Sequence, residues 1–552
     1  MYATGMQGLL VDHHRVAKNA SLLPVQQPFL TKIAPSTVFP LRSLSNPGNP
    51  WGLTSSKIFT MGLILSIDVG TSGTKALLLD EDLSAVGPVV SQDTPLLRDQ
   101  SGRAEHDPAA LKQTIFDVCR KTIANRANDV SLLVVTSYQF GLLFADAEGR
   151  PLTNISTFVD TRAQSHHATF CDAVDVADIY RSTGCPPIFQ YPTNRMHFIK
   201  THKPFDLGAV RHVWDSKAYL MHILTGRSIT DHSTANSLGC LNLTGEWNRP
   251  LIESVGFSVE QFPQVVDGAS YRAPLLPAVC QELGLRNGVE VSVGLYDGAA
   301  LAAALTGFRD GIAVGNFGTS GMFRVPMPTP VEDGEAGLIQ SCMLRSGLFF
   351  NGAGINNGTS ASNWFLREIL KQPVSYLRNR DLSEPGAHGI ICFPYLSGER
   401  DPSIGTLGVG TFLGIRETTK DVDMGRAVLE GVAFSFLLVK QKLDPNNAIS
   451  ELRIGGGGTA NTLWMNILAN VLNLPVRVSS EPEMGILGSA SLALSKGETG
   501  ALQARSERIM GGTTLIEPNS TLVPLYREIA GRYLAMRAKL LPVLKAYHGQ
   551  LL

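Results

Sequence analysis

Neither sign of charge dominates this chain: 47 lysines and arginines stand against 48 aspartates and glutamates, a formal net charge of -1. That balance leaves no electrostatic footprint for nucleic acid or an anionic membrane surface, so neither is expected as a partner. Any phosphorylated ligand must then be held by a few local donors. Cysteine is sparse and odd in number, at 7, with no Cys-x-x-Cys pair. This speaks against a disulfide framework or a structural zinc site and points to a reducing compartment. No apolar run approaches the roughly 18 residues that span a bilayer. Acidic residues are almost missing from the start: between Met1 and Ile67 only Asp12 stands against Arg15, Lys18, Lys32, Arg42 and Lys57. Such an acid-poor leader, residues 1–60, is either an organellar transit peptide or a disordered extension ahead of a working start at Met61. The strand directly after Met61 favours the second reading and a cytoplasmic protein.

What the chain has in quantity is length and glycine. Its 552 residues require at least two domains, and its 54 glycines gather in a few loops. Leu63 to Ile67 reads as a strand ending at Asp68, followed by Gly70-Thr71-Ser72-Gly73-Thr74 and a second apolar run, Ala76 to Leu79. Two strands around a short Gly/Thr/Ser loop predict a hairpin, unlike a Walker A loop, which opens a helix. Asp107-Pro108 predicts a helix start, and Leu132 to Val135 another strand. Near residue 311 the pattern begins again: Gly311 to Val314, then Asn316-Phe317-Gly318-Thr319-Ser320-Gly321, then Met322 to Val325. The repeated Gly-Thr-Ser-Gly in the same strand–loop–strand setting predicts two related α/β domains, with a nucleotide in the cleft between them.

The loops carry the chemistry. Inward-pointing backbone N–H groups of a tight Gly-rich turn bind anionic oxygens; Thr71, Ser72 and Thr74 add hydroxyls and Lys75 a positive charge. Asp68 at the strand end is placed to hold a hydrated Mg²⁺ beside phosphates. A third cluster, Gly455-Gly456-Gly457-Gly458-Thr459-Ala460-Asn461, opens an apolar helical pattern, and glycines there let a flat adenosine approach the backbone. Asp297, flanked by Gly294 and Gly298 after an apolar stretch from Val289 to Val293, is open to a ligand. A carboxylate within reach of a hydroxyl can orient it and take its proton; from the local sequence alone, a turn aspartate beside glycines is the commoner reading.

Taken together, these motifs resemble the FGGY carbohydrate kinases, from about Leu63 to about Gly500. Asp68 to Lys75 resembles the family's first phosphate motif, Gly318 to Gly321 its second, and Gly455 to Asn461 its adenosine loop. Pro394-Tyr395-Leu396-Ser397-Gly398-Glu399-Arg400 is similar to a family segment, and Gly410 to Glu430 to its C-terminal signature. The resemblance implies two actin-like (ribonuclease H-like) domains, 61–305 binding sugar and 306–552 binding ATP, with an interdomain ATP/sugar cleft. It implies ATP and Mg²⁺ as cofactors and Asp297 as the base. It places Thr71, Ser72, Thr74, Lys75, Gly318, Thr319, Gly358, Gly456, Gly457 and Asn461 at ATP, Asp68 at the metal, and Asp160, Arg162, Gln139 and Phe140 at the sugar. Asp160 and Arg162 match Trp-x-Asp-x-Arg, with Phe158 in place of Trp. Phe140 stands where xylulokinases carry a hydrogen-bonding His, leaving an apolar wall. Gly354 to Gly358 and Thr183 to Pro187 look closer to the gluconokinase branch, so a gluconate- or xylulose-like substrate is expected, and a homodimer is the expected assembly.

Several residues read blandly from sequence. Glu105-His106-Asp107-Pro108 is expected to cap a helix without touching substrate, and Trp364 and Trp464 to lie in the core. Arg195 is either a family lysine equivalent or a surface arginine. A catalytically silent nucleotide- or sugar-binding regulatory protein would keep the cleft without turnover. A dinucleotide oxidoreductase would need a GxGxxG opening a helix after the first strand, which Gly70 to Lys75 does not supply.

Overall fold

The first strand, β1 (Leu63–Val69), is apolar along its whole length because both of its faces are covered. Leu63, Leu65, Ile67 and Val69 face one core, while Ile64 and Ser66 face the other way. The computed structural model describes residues 62–334, 337–379, 382–405 and 408–551. The leader over 1–60 and Met61 lie outside the described residues.

β1 belongs to a six-stranded sheet with β2 (Gly73–Leu79), β3 (Val90–Asp93), β4 (Val130–Ser137), β5 (Arg272–Pro274) and β6 (Glu290–Ser292), in the order β5-β6-β4-β1-β2-β3. The pairs β1–β4 and β4–β6 are parallel and the others antiparallel. The second half repeats this plan with β7 (Ile312–Phe317), β8 (Gly321–Met327), β9 (Gln340–Arg345), β10 (Leu348–Ile355), β11 (Glu451–Gly455), β12 (Val476–Val478) and β13 (Thr514–Ile516). Its order, β9-β10-β8-β7-β11-β12-β13, is the first sheet's with one further antiparallel strand, and β7–β11 and β11–β12 are again the parallel pairs. The chain is thus an α/β protein of two mixed-sheet halves built on one pattern.

The helix α1 (Pro108–Ile123) starts as the sequence predicts: Asp107 Oδ1 accepts from the Ala110 N–H at 2.8 Å, with proline at the first helical position. Such a cap is worth about 1 kcal/mol. Further helices are α2 (Ser216–Thr225), α3 (Asp297–Thr306), α4 (Asp421–Leu443), α5 (Thr462–Leu472) and α6 (Met484–Ser495). α3 and α6 join the halves. A Cβ at Gly488 of α6 would lie 1.9 Å from the Ala300 carbonyl oxygen of α3, so this crossing requires glycine. α6 also covers the first sheet, packing Ile486, Ala490 and Ala493 on Ile64, Leu77 and Val134. The backbone that carries Asp297 is therefore fixed by helices from both halves.

Trp464 is buried against Phe317, as expected, but Trp364 is 38% exposed. The core-facing side of this segment is taken by Ala361, Ser362, Phe365 and Leu366, which leaves Trp364 on the flank, just before a π-turn over Phe365–Ile369.

Candidate active site

The two Gly-Thr-Ser-Gly hairpins face one cleft of about 760 Å³. Strand alternation decides what each presents to it. In β1, Asp68 shares a face with Ile64 and Ser66, and in β7, Asn316 shares a face with Val314; both faces turn toward the α3–α6 pair. Despite identical loop sequences the hairpins close in different registers. Val69 pairs with Thr74 across four loop residues, whereas Phe317 pairs with Gly321 across three.

Of the residues expected from sequence, Asp68, Thr71, Gln139, Phe140, Asp297, Gly456 and Gly457 line the cleft. Gly456 has φ +104°, and a Cβ there would sit 2.7 Å from Asn316 Oδ1, so glycine is required. Gly318, Thr319 and Gly358 form the second turn, where the Gly318 N–H donates to Ser320 O at 3.0 Å and the Gly358 N–H to Thr319 O at 3.1 Å. Other expected residues are engaged elsewhere. Ser72 is exposed beside the cleft and Thr74 is buried inside β2. Lys75 makes an ion pair with Glu483 at 3.1 Å. Asn461 caps α5, accepting from the Trp464 N–H at 3.1 Å. Asp160 and Arg162 lie beside the cleft, joined at 2.6 Å, and Arg162 also bonds Glu105. Glu105 thus has a partner beyond helix capping.

Asp297 is the first residue of α3 and opens onto the cleft. Its side chain is exposed into the cleft, but the cleft walls thin the water around it, and this desolvation, followed by repulsion from Asp68, pushes its pKa up to about 7. Domain closure that removed cleft water would push it further the same way. Asp68 is raised too, chiefly by burial, although Thr136 Oγ1 donates to its Oδ1 at 2.8 Å.

Sequence reasoning missed Lys217 altogether and did not give His106 or Arg195 the supporting contacts that they make. Lys217 of α2 is fully buried and donates to the carbonyls of Val135 at 2.8 Å, Val293 at 2.6 Å and Leu295 at 3.0 Å. It ties the end of β4 to the segment leading into Asp297, with Asp231 at 3.8 Å as its anion. Its only signal in the sequence is a lone lysine before the apolar run Ala218 to Met221. His106 Nε2 donates to Thr71 O at 2.9 Å, which leaves Nδ1 to accept from the Tyr138 hydroxyl at 2.9 Å. Burial lowers its pKa and keeps the ring neutral. Arg195 is buried, donating to Ser156 Oγ at 2.6 Å, Thr157 O at 3.1 Å and Phe140 O, so its surface reading is corrected. Phe140 holds a left-handed φ of 63°, which costs of order 1–3 kcal/mol and is retained by that arginine. Its ring packs edge-on against Tyr191 at 5.2 Å, forming an apolar wall.

Known proteins can now be set beside this geometry. The model of the FGGY family of carbohydrate kinases, N-terminal domain, matches residues 63–305, and the C-terminal domain of the same family matches residues 313–496. The chain belongs to the FGGY family of carbohydrate kinases. The gluconokinase of Bacillus subtilis is 24% identical over 492 residues, covering 84% of this chain and 94% of its own. The xylulose kinase of Staphylococcus xylosus is 25% identical over 458 residues, covering 78% and 90%. The crystal structure of gluconate kinase from Lactobacillus acidophilus superposes with a TM-score of 0.81 at 24% identity, over 88% of this chain and 99% of that one. This FGGY kinase therefore shares its fold and chain plan with enzymes named for two different substrates.

Proposed function

We propose that this FGGY kinase moves the γ-phosphoryl group of ATP to a hydroxyl of a small gluconate- or xylulose-like substrate, with Asp297 as the base. The observation that carries this reading is the place of Asp297, a carboxylate at the start of α3 that opens onto the cleft faced by both hairpins, where crowding by the cleft walls raises its pKa. A base poised near the working pH takes a proton most effectively. The 61–305 half supplies Gln139 and Phe140 for the sugar, with Asp160 and Arg162 beside them. The 306–552 half supplies Gly456 and Gly457 for the adenosine and Gly318 and Thr319 for the phosphates.

Asp297 accepts the hydroxyl proton as the new O–P bond forms; the bond from the γ-phosphorus to its bridging oxygen breaks, and ADP leaves. The phosphates need charge neutralisation, and the residues present fit Mg²⁺. Asp68 Oδ1 is taken by Thr136 while Oδ2 has no hydrogen-bond donor among the described residues, and both nearby carboxylates carry raised pKa values that a cation would relieve. Mg²⁺ is commonly held by one or two carboxylates plus substrate phosphates, and when bound it would spread the developing charge. Lys217 keeps the Asp297 segment in place, His106 holds the Thr71 turn, and Phe140 excludes water from the sugar end.

The test is ADP release measured across pentuloses, aldonates, polyols and heptuloses. Release that depends on one of these substrates is the expected result. ATP binding without substrate-dependent release from any of them would instead indicate a regulatory protein.

A further inference from the structure

Two arginines reach the sugar end of the cleft without an anion. Arg324 of β8 is almost fully buried; its Nη1 donates to Phe350 O at 3.1 Å, its Nη2 to Gln340 Oε1, and its guanidinium lies 5.6 Å from the Phe350 ring centre. Arg400 donates only through Nε, to Asn356 Oδ1 at 3.3 Å. Its terminal nitrogens have no hydrogen-bond partner among the described residues. They lie against Gly354, where a Cβ would come within 2.7 Å of Nη1. Among the described residues no carboxylate lies within 4.0 Å of either guanidinium. Glu399, next in the chain, spends its oxygens on Asn356 and Asn357.

A second observation marks the same place. Tyr296 lines the cleft, is 3% exposed, and its hydroxyl has no partner among the described residues. Both arginines are close enough to act on it electrostatically, and Arg324 depresses the pKa of Arg400 after burial has done so. Buried charges are normally paired and buried hydroxyls bonded, so two unpaired cations and an unused hydroxyl form a receptor for an anion. A nucleotide phosphate is the less fitting occupant. Tyr191, which acts on Arg400, packs against Phe140 on the sugar wall, whereas the glycine turns that cradle phosphate lie at the strand ends. An anionic substrate also needs such help, because Asp68 and Asp297 would otherwise repel it.

We infer that Arg324, Arg400 and the Tyr296 hydroxyl bind the carboxylate of a sugar acid, making this enzyme selective for aldonates over neutral ketoses and polyols. The inference rests on the kinase reading above and names its substrate class. Guanidinium forks suit the planar carboxylate, and a site built around a charged group rejects the analogue lacking it strongly.

The test pairs an aldonate with the alditol of the same length and configuration, in ADP-release kinetics and in calorimetric binding, for the wild type, R324Q, R400Q and the two Arg→Lys variants. Wild type is expected to favour the aldonate by about 100-fold or more in kcat/KM. Each Arg→Gln change should lower aldonate kcat/KM by about 100-fold and narrow the preference, with the KM for ATP within about threefold of wild type. The Arg→Lys variants, which keep the charge and guard against misfolding, should recover part of the loss. Preference for a ketose or alditol, with ADP release intact, overturns the carboxylate site and leaves the kinase standing. An equal rise in the KM for ATP overturns it in favour of a phosphate ligand. Aldonate binding that the Arg→Gln variants lose, without ADP release from any substrate, supports the site and sinks the kinase reading. No aldonate binding at all overturns the site.

Discussion

The two Gly-Thr-Ser-Gly hairpins differ at one telling position. Two residues before the first glycine, β1 carries Asp68 and β7 carries Asn316, on equivalent faces of equivalent strands. The duplicated backbone supplies two nearly symmetric cradles, but only the first has a carboxylate. Like-charge repulsion then ties that carboxylate to Asp297, whose pKa Asp68 raises further after burial has done so. On the second hairpin a neutral amide lies under Gly456. Symmetric folds can thus be polarised by a single residue: on the proposed function, acid chemistry and metal charge would fall to one half, and neutral cradling of phosphate to the other.

The strongest test of this polarity removes Asp297, the proposed base that shares the cleft with Asp68. Asp297→Asn keeps the shape and removes the proton acceptor, so kcat should fall by about a thousandfold while ATP affinity stays within a few-fold of wild type. ADP-release kinetics beside nucleotide titration would separate the two quantities, and an Asn variant with near-native kcat would refute the assignment. Next, Asp68→Asn makes the first hairpin resemble the second. Activity at limiting Mg²⁺ should drop about a hundredfold and recover in part as Mg²⁺ is raised. Loss that Mg²⁺ cannot relieve would place Asp68 outside the metal site. The converse change, Asn316→Asp, puts a carboxylate at the proposed phosphate cradle of the second half. Repulsion there should weaken ATP about tenfold, or roughly 1.4 kcal/mol, an effect visible in the KM for ATP. Unchanged or tighter ATP binding would show that the two hairpins tolerate charge equally.

How much of this was legible in the sequence depends on whether a feature is local. Asp68, Thr71 and the Gly455 cluster announce themselves because a strand, a tight turn and close ligand approach each demand particular neighbours. The repeat was readable from four identical residues, yet those residues hid the one-residue register difference, which is set by pairing beyond the loop. Lys217, Arg195, Arg324 and Arg400 were illegible for a different reason. A buried charge is explained by partners far along the chain: Lys217 by carbonyls at 135, 293 and 295, Arg324 by positions 340 and 350. No periodicity encodes such partners. Trp364 misled because Ala361, Ser362, Phe365 and Leu366 occupy the core-facing side, and a bulky apolar residue beside that stripe reads the same in sequence as one within it.

The smallest expected effect is on stability, and its sign follows from the raised pKa of Asp297. An unfolded aspartate titrates near 3.8, and the folded one near 7. Between those values the folded state binds more protons than the unfolded state, so the group's contribution is fully present below pH 3.8 and is lost as pH rises through 7. Asp68 acts in the same direction. Melting the unliganded protein from pH 4.5 to 8.5 should therefore show Asp297→Asn gaining on wild type as pH rises, by roughly 1–2 °C at the alkaline end because cleft water softens the penalty. Asn316→Ala, on the hairpin without a titrating group, should keep a constant offset from wild type across the same range. If instead the Asp297→Asn curve fell below wild type with rising pH, the carboxylate would be favoured as an anion in the fold. It would then be a poor base at neutral pH, and the contrast between the two hairpins would lose its electrostatic origin.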